Sequence, residues 1–171
     1  MFVIVMGVQL AVFILLSFRF LKKGEEEYEY EIEDISDKDF PFKKYIPLGI
    51  YFSEIFDIKS KLPFSFREPI LEYQNSKRLL VGELYGAKYT DYYYWVYKGN
   101  KRTIMIFVAI LSCFFGLLCA IQGDMATGLL LDVGGCILAI ALEFLYDSTL
   151  ESKINTRREE IKREFPEFVN K

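Results

Sequence analysis

The stretch from Thr103 to Tyr146 constrains this chain most. Two apolar runs are joined there by only Gln122-Gly123-Asp124-Met125-Ala126-Thr127. Ile104 to Ile121 carries no charge, and as a helix rising about 1.5 Å per residue it is long enough to cross ~30 Å of hydrocarbon. Gly128 to Tyr146 is similar but contains Asp132 and Glu143. With so short a connection, the two runs are expected to form an antiparallel transmembrane hairpin. Lys98, Lys101 and Arg102 precede it, Lys153, Arg157 and Arg158 follow it, and the connecting loop has no Lys or Arg. The positive-inside rule then puts both outer flanks in the cytoplasm.

A third apolar run, Phe2 to Leu21, is interrupted only by Gln9, Ser17 and Arg19. No positive charge precedes it, no small-x-small cleavage site follows, and Lys22-Lys23 come directly after, so it reads as an uncleaved anchor rather than a signal peptide. Arg19 can snorkel to the headgroups at the cytoplasmic end. The expected fold is an all-α membrane protein with three transmembrane helices, an N-terminal anchor plus a hairpin, and a small helical cytoplasmic region. Its N-terminus is outside and its C-terminus cytoplasmic. The expected divisions are an anchor over 1–21, an acidic linker over 22–40 and a cytoplasmic juxtamembrane helical region over 41–102. The hairpin over 103–146 and a cytoplasmic amphipathic helix over 147–171 complete the chain.

The linker is assigned on charge. Gly24 to Phe40 holds nine carboxylates against one Lys. Such a run repels itself and has little apolar surface to collapse, so it is expected to be solvated and tolerant of shortening. Asp34, Asp37 and Asp39 lack the central Gly and distal Glu of a calcium loop. In the following region, Pro47 can open a short helix with Leu48, Tyr51, Ile55 and Ile58 at helical spacing. A longer helix is expected from Pro69, with Gly82 and Gly86 marking a bend or a close helix contact. Gly99-Asn100 is expected to separate it from the span that follows. Tyr92-Tyr93-Tyr94-Trp95-Val96-Tyr97 beside Lys98 suits a membrane–water interface. A base-stacking platform would need an adjacent basic groove, which this net-acidic chain lacks, so no nucleic-acid partner is expected.

Chemistry is sparse. There is no histidine, which removes every His-based triad, zinc or haem arrangement. No phosphate-binding Gly-rich loop occurs. Cys113, Cys119 and Cys136 fall inside expected spans without a CxxC pair, and read as small buried hydrophobes with no partner residues for a metal. No cofactor, metal or catalytic residue is therefore expected. Asp132 and Glu143 are the intramembrane polar positions. A carboxylate at that depth costs several kcal/mol unless paired, hydrated or protonated (of order 3 kcal/mol on insertion scales), so they read either as structural carboxylates or as part of an ion path. Eleven residues apart on one helix, they cannot pair directly. Small residues recur every four positions at Gly7 and Ala11, at Ser112, Gly116 and Ala120, and at Gly135 and Ala139, a spacing that lets helix backbones approach.

Ser148-Thr149-Leu150-Glu151 has capping-box form and is expected to open a new helix beyond the membrane. Leu150, Ile154, Ile161, Phe165 and Phe168 then line one face. The run YDSTLESKINTRREEIKREFPEF, with Arg157-Arg158-Glu159-Glu160-Ile161-Lys162-Arg163-Glu164-Phe165-Pro166-Glu167 at its centre, resembles the entry to the type II secretion system F domain, in which a basic helix ending in Pro follows a transmembrane hairpin. Leu84-Tyr85-Gly86-Ala87-Lys88-Tyr89 and Tyr92-Tyr93 are similar to the juxtamembrane segment of members associated with tight-adherence (Tad) pili. The resemblance covers 41–171 loosely and 146–168 more specifically, and the chain stops at Lys171, as a truncation at the start of that domain would.

The resemblance implies a non-enzymatic platform component of a Tad/type IV-like pilus or type II secretion system in the bacterial plasma (inner) membrane. It would couple a cytoplasmic assembly ATPase to export of pilin subunits, beside a second platform protein. Leu150, Ile154, Arg157, Arg158, Ile161, Phe165 and Phe168 would form the partner interface. The alternatives are a membrane-anchored sensor or regulatory adaptor without catalysis, and a small transporter subunit using Asp132 and Glu143.

Overall fold

The computed structural model describes residues 1–32, 35, 40, 42–55 and 64–164. Among them there is no strand. The helices are α1 (Phe2–Ile32), α2 (Ile46–Ile55), α3 (Phe64–Tyr85), α4 (Thr90–Ile121) and α5 (Met125–Glu164), with single 3-10 turns at Lys43–Tyr45 and Ala87–Tyr89. The protein is all-α, and three of its helices are long and apolar enough to cross a membrane, over Phe2–Tyr28, Ala87–Ile121 and Met125–Arg163. Most of each apolar stretch faces outward: Leu15, Phe18, Leu130, Ile137 and Phe144 are all exposed. Lipid is the medium that makes such faces favourable.

The described residues fall into two compact units, one within Met1–Asp57 and Trp95–Glu143, the other within Ile58–Tyr94 and Phe144–Lys171. In the first, the hairpin forms as its sequence requires. Gly123, at φ +98°, ends α4 in the left-handed conformation that glycine adopts freely, and Asp124 N–H returns to Cys119 O at 3.1 Å. The Asp124 side chain then accepts the Thr127 N–H at 3.0 Å, capping α5. Small residues bring the two backbones together. A methyl on Gly116 would lie 2.7 Å from Gly128 O, and one on Gly135 would strike the Ser112 side chain. The small-residue spacing thus does its expected work in the hairpin. It does not at Gly7, where an added methyl would meet no described residue within 4 Å, or at Ala11, which is exposed.

The short helix α2 is held between α1 and α4. Ile46, Pro47, Leu48, Gly49, Ile50 and Ser53 are buried along it. On one side Gly24 of α1 lies against Pro47, and Phe20 packs on Tyr51 with ring centroids 5.5 Å apart. On the other, Gly49 meets Gly99 and Thr103, while Ile46 and Ile50 cover Gly99. Thr103 Oγ1 lies 2.9 Å from Tyr45 O and 3.0 Å from Gly99 O, either of which can take its proton.

Two sequence expectations are corrected by these contacts. The acidic stretch 22–40 is not simply a solvated linker, because α1 runs through it to Ile32 and buries Tyr28 and Ile32, four residues apart on one face. Ile35 and Phe40 are buried as well, while Asp34, Asp37 and Asp39 lie outside the described residues. Gly99-Asn100 does not separate two helices: α4 passes through unbroken, and both residues are buried. There the glycine serves close packing. The aromatic run also contributes to the interior, with Val96 and Tyr97 buried and Trp95 edge-on to Tyr28 at 5.3 Å.

In the second unit, α3 starts at Phe64 rather than Pro69, with Pro69 inside it. Pro69 is the sixth residue of the helix, past the first four N–H groups that have no intrahelical partner, so its missing N–H removes one i→i−4 hydrogen bond from the second turn. Gly86, at φ +102°, ends α3, and Gly82 makes room for the Thr90 side chain, so both glycines mark the expected bend and close contact. The expected new helix at Ser148 is also corrected. The α5 helix is continuous there, and the Ser148 and Thr149 hydroxyls donate back to Leu145 O and Tyr146 O at 2.8 and 2.6 Å. A capping box requires a chain that is not already helical, and here the preceding turn is.

Candidate functional site

Within the first unit, the polar residues of the apolar helices converge. Asp132 projects from α5 into the bundle and is buried, with Cys113 Sγ of α4 donating to its Oδ1 at 2.9 Å. Gln9, the first polar interruption of α1, donates Nε2 to the same oxygen at 3.2 Å and lies 3.5 Å from Cys113 Sγ. Cys136 stands one helical turn beyond Asp132 on the same face of α5. The side-chain donor atoms of Cys113, Asp132 and Cys136 all lie within 4.8 Å of one another. The sequence reading that these cysteines have no partner residues for a metal is therefore corrected. The hairpin register, which sets Ser112 against Gly135, carries Cys113 toward Cys136. Cys119 stays outside this group.

Glu143, eleven residues further along α5, has different partners. Arg102 grips it with both terminal nitrogens, Nη1 to Oε2 at 3.0 Å and Nη2 to Oε1 at 2.9 Å, and Lys101 Nζ stands 3.7 Å away. The fork of a guanidinium matches a carboxylate in this way, and lysine adds only a point charge. The two carboxylates of the apolar part of α5 are thus each satisfied by separate partners on neighbouring helices. Near the first of them lies an apolar cavity of about 340 Å³, bounded by Phe13, Leu16, Phe20, Ile106, Ala109 and Cys136 among others. Cys136 belongs to both its wall and the cysteine–carboxylate group.

Within the second unit, much of the expected partner interface is already used. Leu150 and Ile154 are buried. Asp147 accepts the Tyr73 hydroxyl, and Glu151 pairs with Lys77. Arg157 reaches Leu84 O, and Arg158 forms a two-pronged pair with Glu83 at 2.5 and 2.6 Å. Of the remaining interface residues, Ile161 is exposed, and Phe165 and Phe168 lie outside the described residues.

The hydrogen bonds from Arg158, followed by the charges of Arg158 and Arg157, hold the Glu83 carboxyl below its ordinary value. A carboxyl depressed in the folded state stabilises it above the unfolded value and loses that contribution as pH falls through the folded one. Amide exchange in the last turns of α5, corrected for intrinsic rates, is accordingly expected to rise as pH falls below about 4.5, the ordinary value of that carboxyl. Glu83→Gln should flatten the response, and an unchanged profile in that variant would remove Glu83 as its cause. Both side chains are about half exposed to solvent, so added salt should also weaken the pair.

Compared with family models, curated proteins and solved structures, the chain matches none. Sequence reasoning missed Gln9, Lys101, Arg102, Cys113 and Cys136 as partners of the two carboxylates. A signal was present in two places: Asp132 and Cys136 share a helix face, and an amide inside an apolar helix needs a partner.

Proposed function

We propose that the chain is a multi-pass, non-catalytic platform component of a Tad/type IV-like pilus or type II secretion machine in the bacterial plasma membrane. Its N-terminus and the Gly123 turn face outward. Residues 22–102 and the C-terminal segment face the cytoplasm, where they engage an assembly ATPase, while the apolar helices meet pilin subunits or a second platform protein. The observation that supports this best is the length of α5. Its 40 residues extend roughly 60 Å, about twice the hydrocarbon thickness, so the helix continues well beyond any membrane it crosses. Lys153, Arg157, Arg158, Lys162 and Arg163 stand on its second half. A basic helix following a hairpin is what the secretion-family resemblance calls for.

A second reading, a membrane-anchored sensor or regulatory adaptor, is supported by the engagement of Leu150, Ile154, Arg157 and Arg158 inside their own unit, which leaves Ile161 as the exposed apolar residue of the expected interface among the described residues. Two measurements bear on the choice. A cysteine introduced at Gly123 should react with an impermeant maleimide in intact cells, and one at Ser76 should not; the reverse pattern sinks the orientation. Co-purification from native membranes should retain an assembly ATPase and a second platform protein, and Ile161→Asp should release them. Retention of neither by the unaltered chain overturns the platform reading.

A further inference from the structure

The convergence of two thiols, a carboxylate and an amide from three helices of one unit calls for a chemical explanation beyond packing. We propose that Cys113, Cys136 and Asp132, completed by Gln9, form a binding site for a single zinc ion. This proposal is independent of the platform reading.

Ligand chemistry selects the ion. Two thiolates favour a soft or borderline metal, and the carboxylate and amide oxygens that complete the set suit Zn(II) better than Cu(I). Magnesium and calcium require oxygen shells that this group cannot supply. Geometry is close to what zinc needs. Tetrahedral ligands at Zn–S ~2.3 Å and Zn–O ~2.0 Å stand roughly 3.3–3.8 Å apart. The three donor atoms already lie within 4.8 Å of one another, so small side-chain rotations suffice. Gln9 Nε2 is 3.2 Å from Asp132 Oδ1, and turning its amide over presents the carbonyl oxygen as a fourth ligand.

Charge balance makes the site tolerable in an apolar bundle. As Zn(II) enters, two S–H bonds give way to two Zn–S bonds and both protons leave to water. One dication replaces two protons, so the net charge of the site does not change. A group that is affordable in the bundle without metal therefore remains so with it. Access is short. Asp132 lies seven residues into α5, roughly 10 Å along the axis from the first residue of that helix. Contact with Gln9 brings the N-terminal part of α1 alongside the turn-proximal part of α5.

The test uses the full chain, purified in detergent and stripped with a chelator. Co(II) is the optical probe, and zinc the competitor. One equivalent of Co(II) should give thiolate-to-metal charge-transfer bands with tetrahedral visible bands, and zinc should abolish both. Cys113→Ser and Cys136→Ser should each remove the charge-transfer signal or halve it. Cys119→Ser should leave it unchanged, and Gln9→Leu should weaken zinc binding about tenfold. X-ray absorption of the zinc-loaded unaltered chain should show two sulfur neighbours at ~2.3 Å, a result that does not depend on any variant folding. Absence of a one-to-one cobalt spectrum, its survival in the Cys113/Cys136 double variant, or a zinc shell without sulfur would each overturn the proposal.

Discussion

Gly49→Ala should undock α2 from α4 and lower the stability of the first unit by more than any conservative change on its lipid-facing surface. The added methyl would collide with Gly99 O, and would sit 2.6 Å from Thr103 Oγ1 and 2.7 Å from Thr103 N. Two of these three atoms are backbone and cannot swing aside. Either α2 moves away or α4 deforms, and both open the contacts of Ile46, Leu48 and Ile50, which are almost wholly buried. Overpacking a close-packed site costs about 1–3 kcal/mol, occasionally more, and backbone meeting backbone belongs at the upper end. Gly134→Ala is the matched control, because no described residue stands within 4 Å of its added methyl. Denaturation in detergent, followed by helical signal and Trp95 fluorescence, should show a marked drop for Gly49→Ala and little change for Gly134→Ala. Equal behaviour of the two would refute the role assigned to this contact.

Removing Glu143 should have the next largest effect. Glu143→Leu leaves the Arg102 guanidinium and the Lys101 ammonium facing an apolar bundle without their carboxylate. The Glu143 side chain is 28% exposed, so its value falls between the ~1 kcal/mol of a surface pair and the ~3–5 kcal/mol lost when a buried pair is broken. Arg102→Leu in the same background should recover part of the loss, since it removes the guanidinium left without its carboxylate. Strict additivity in that double-mutant cycle would mean that the fork-shaped contact contributes nothing.

The hairpin was legible because its evidence is local: an uncharged run of membrane length, a turn with Gly and Asp, and another apolar run. The partners of Asp132 were not legible, because Gln9 and Cys113 lie far from it in the chain and meet it only through helix packing. Charge composition misjudged 22–40 for a related reason. Glu26 and Glu27 are exposed there, while Tyr28 and Ile32 form the side that packs. Gly99-Asn100 misled in the opposite direction. A Gly-Asn pair usually punctuates a chain, and only the presence of α2 against it explains why the helix continues. Ser148 has the residue pattern of a helix start, but a pattern of four residues cannot report that the turn before it is already helical.

The backbone contact between Gly49 and Gly99 also has a consequence for biogenesis. With Pro47 and Gly49 among its ten residues, α2 has poor helical tendency of its own and depends on its neighbours for shape. One neighbour, α1, is synthesised before it. The other is completed only after Gly99, fifty residues later, which at ~5–20 residues per second is a delay of several seconds. During that interval a strongly apolar segment has left the ribosome with half of its enclosure missing. The step that commits the first unit to its fold is therefore arrival of the second apolar helix, not insertion of the first.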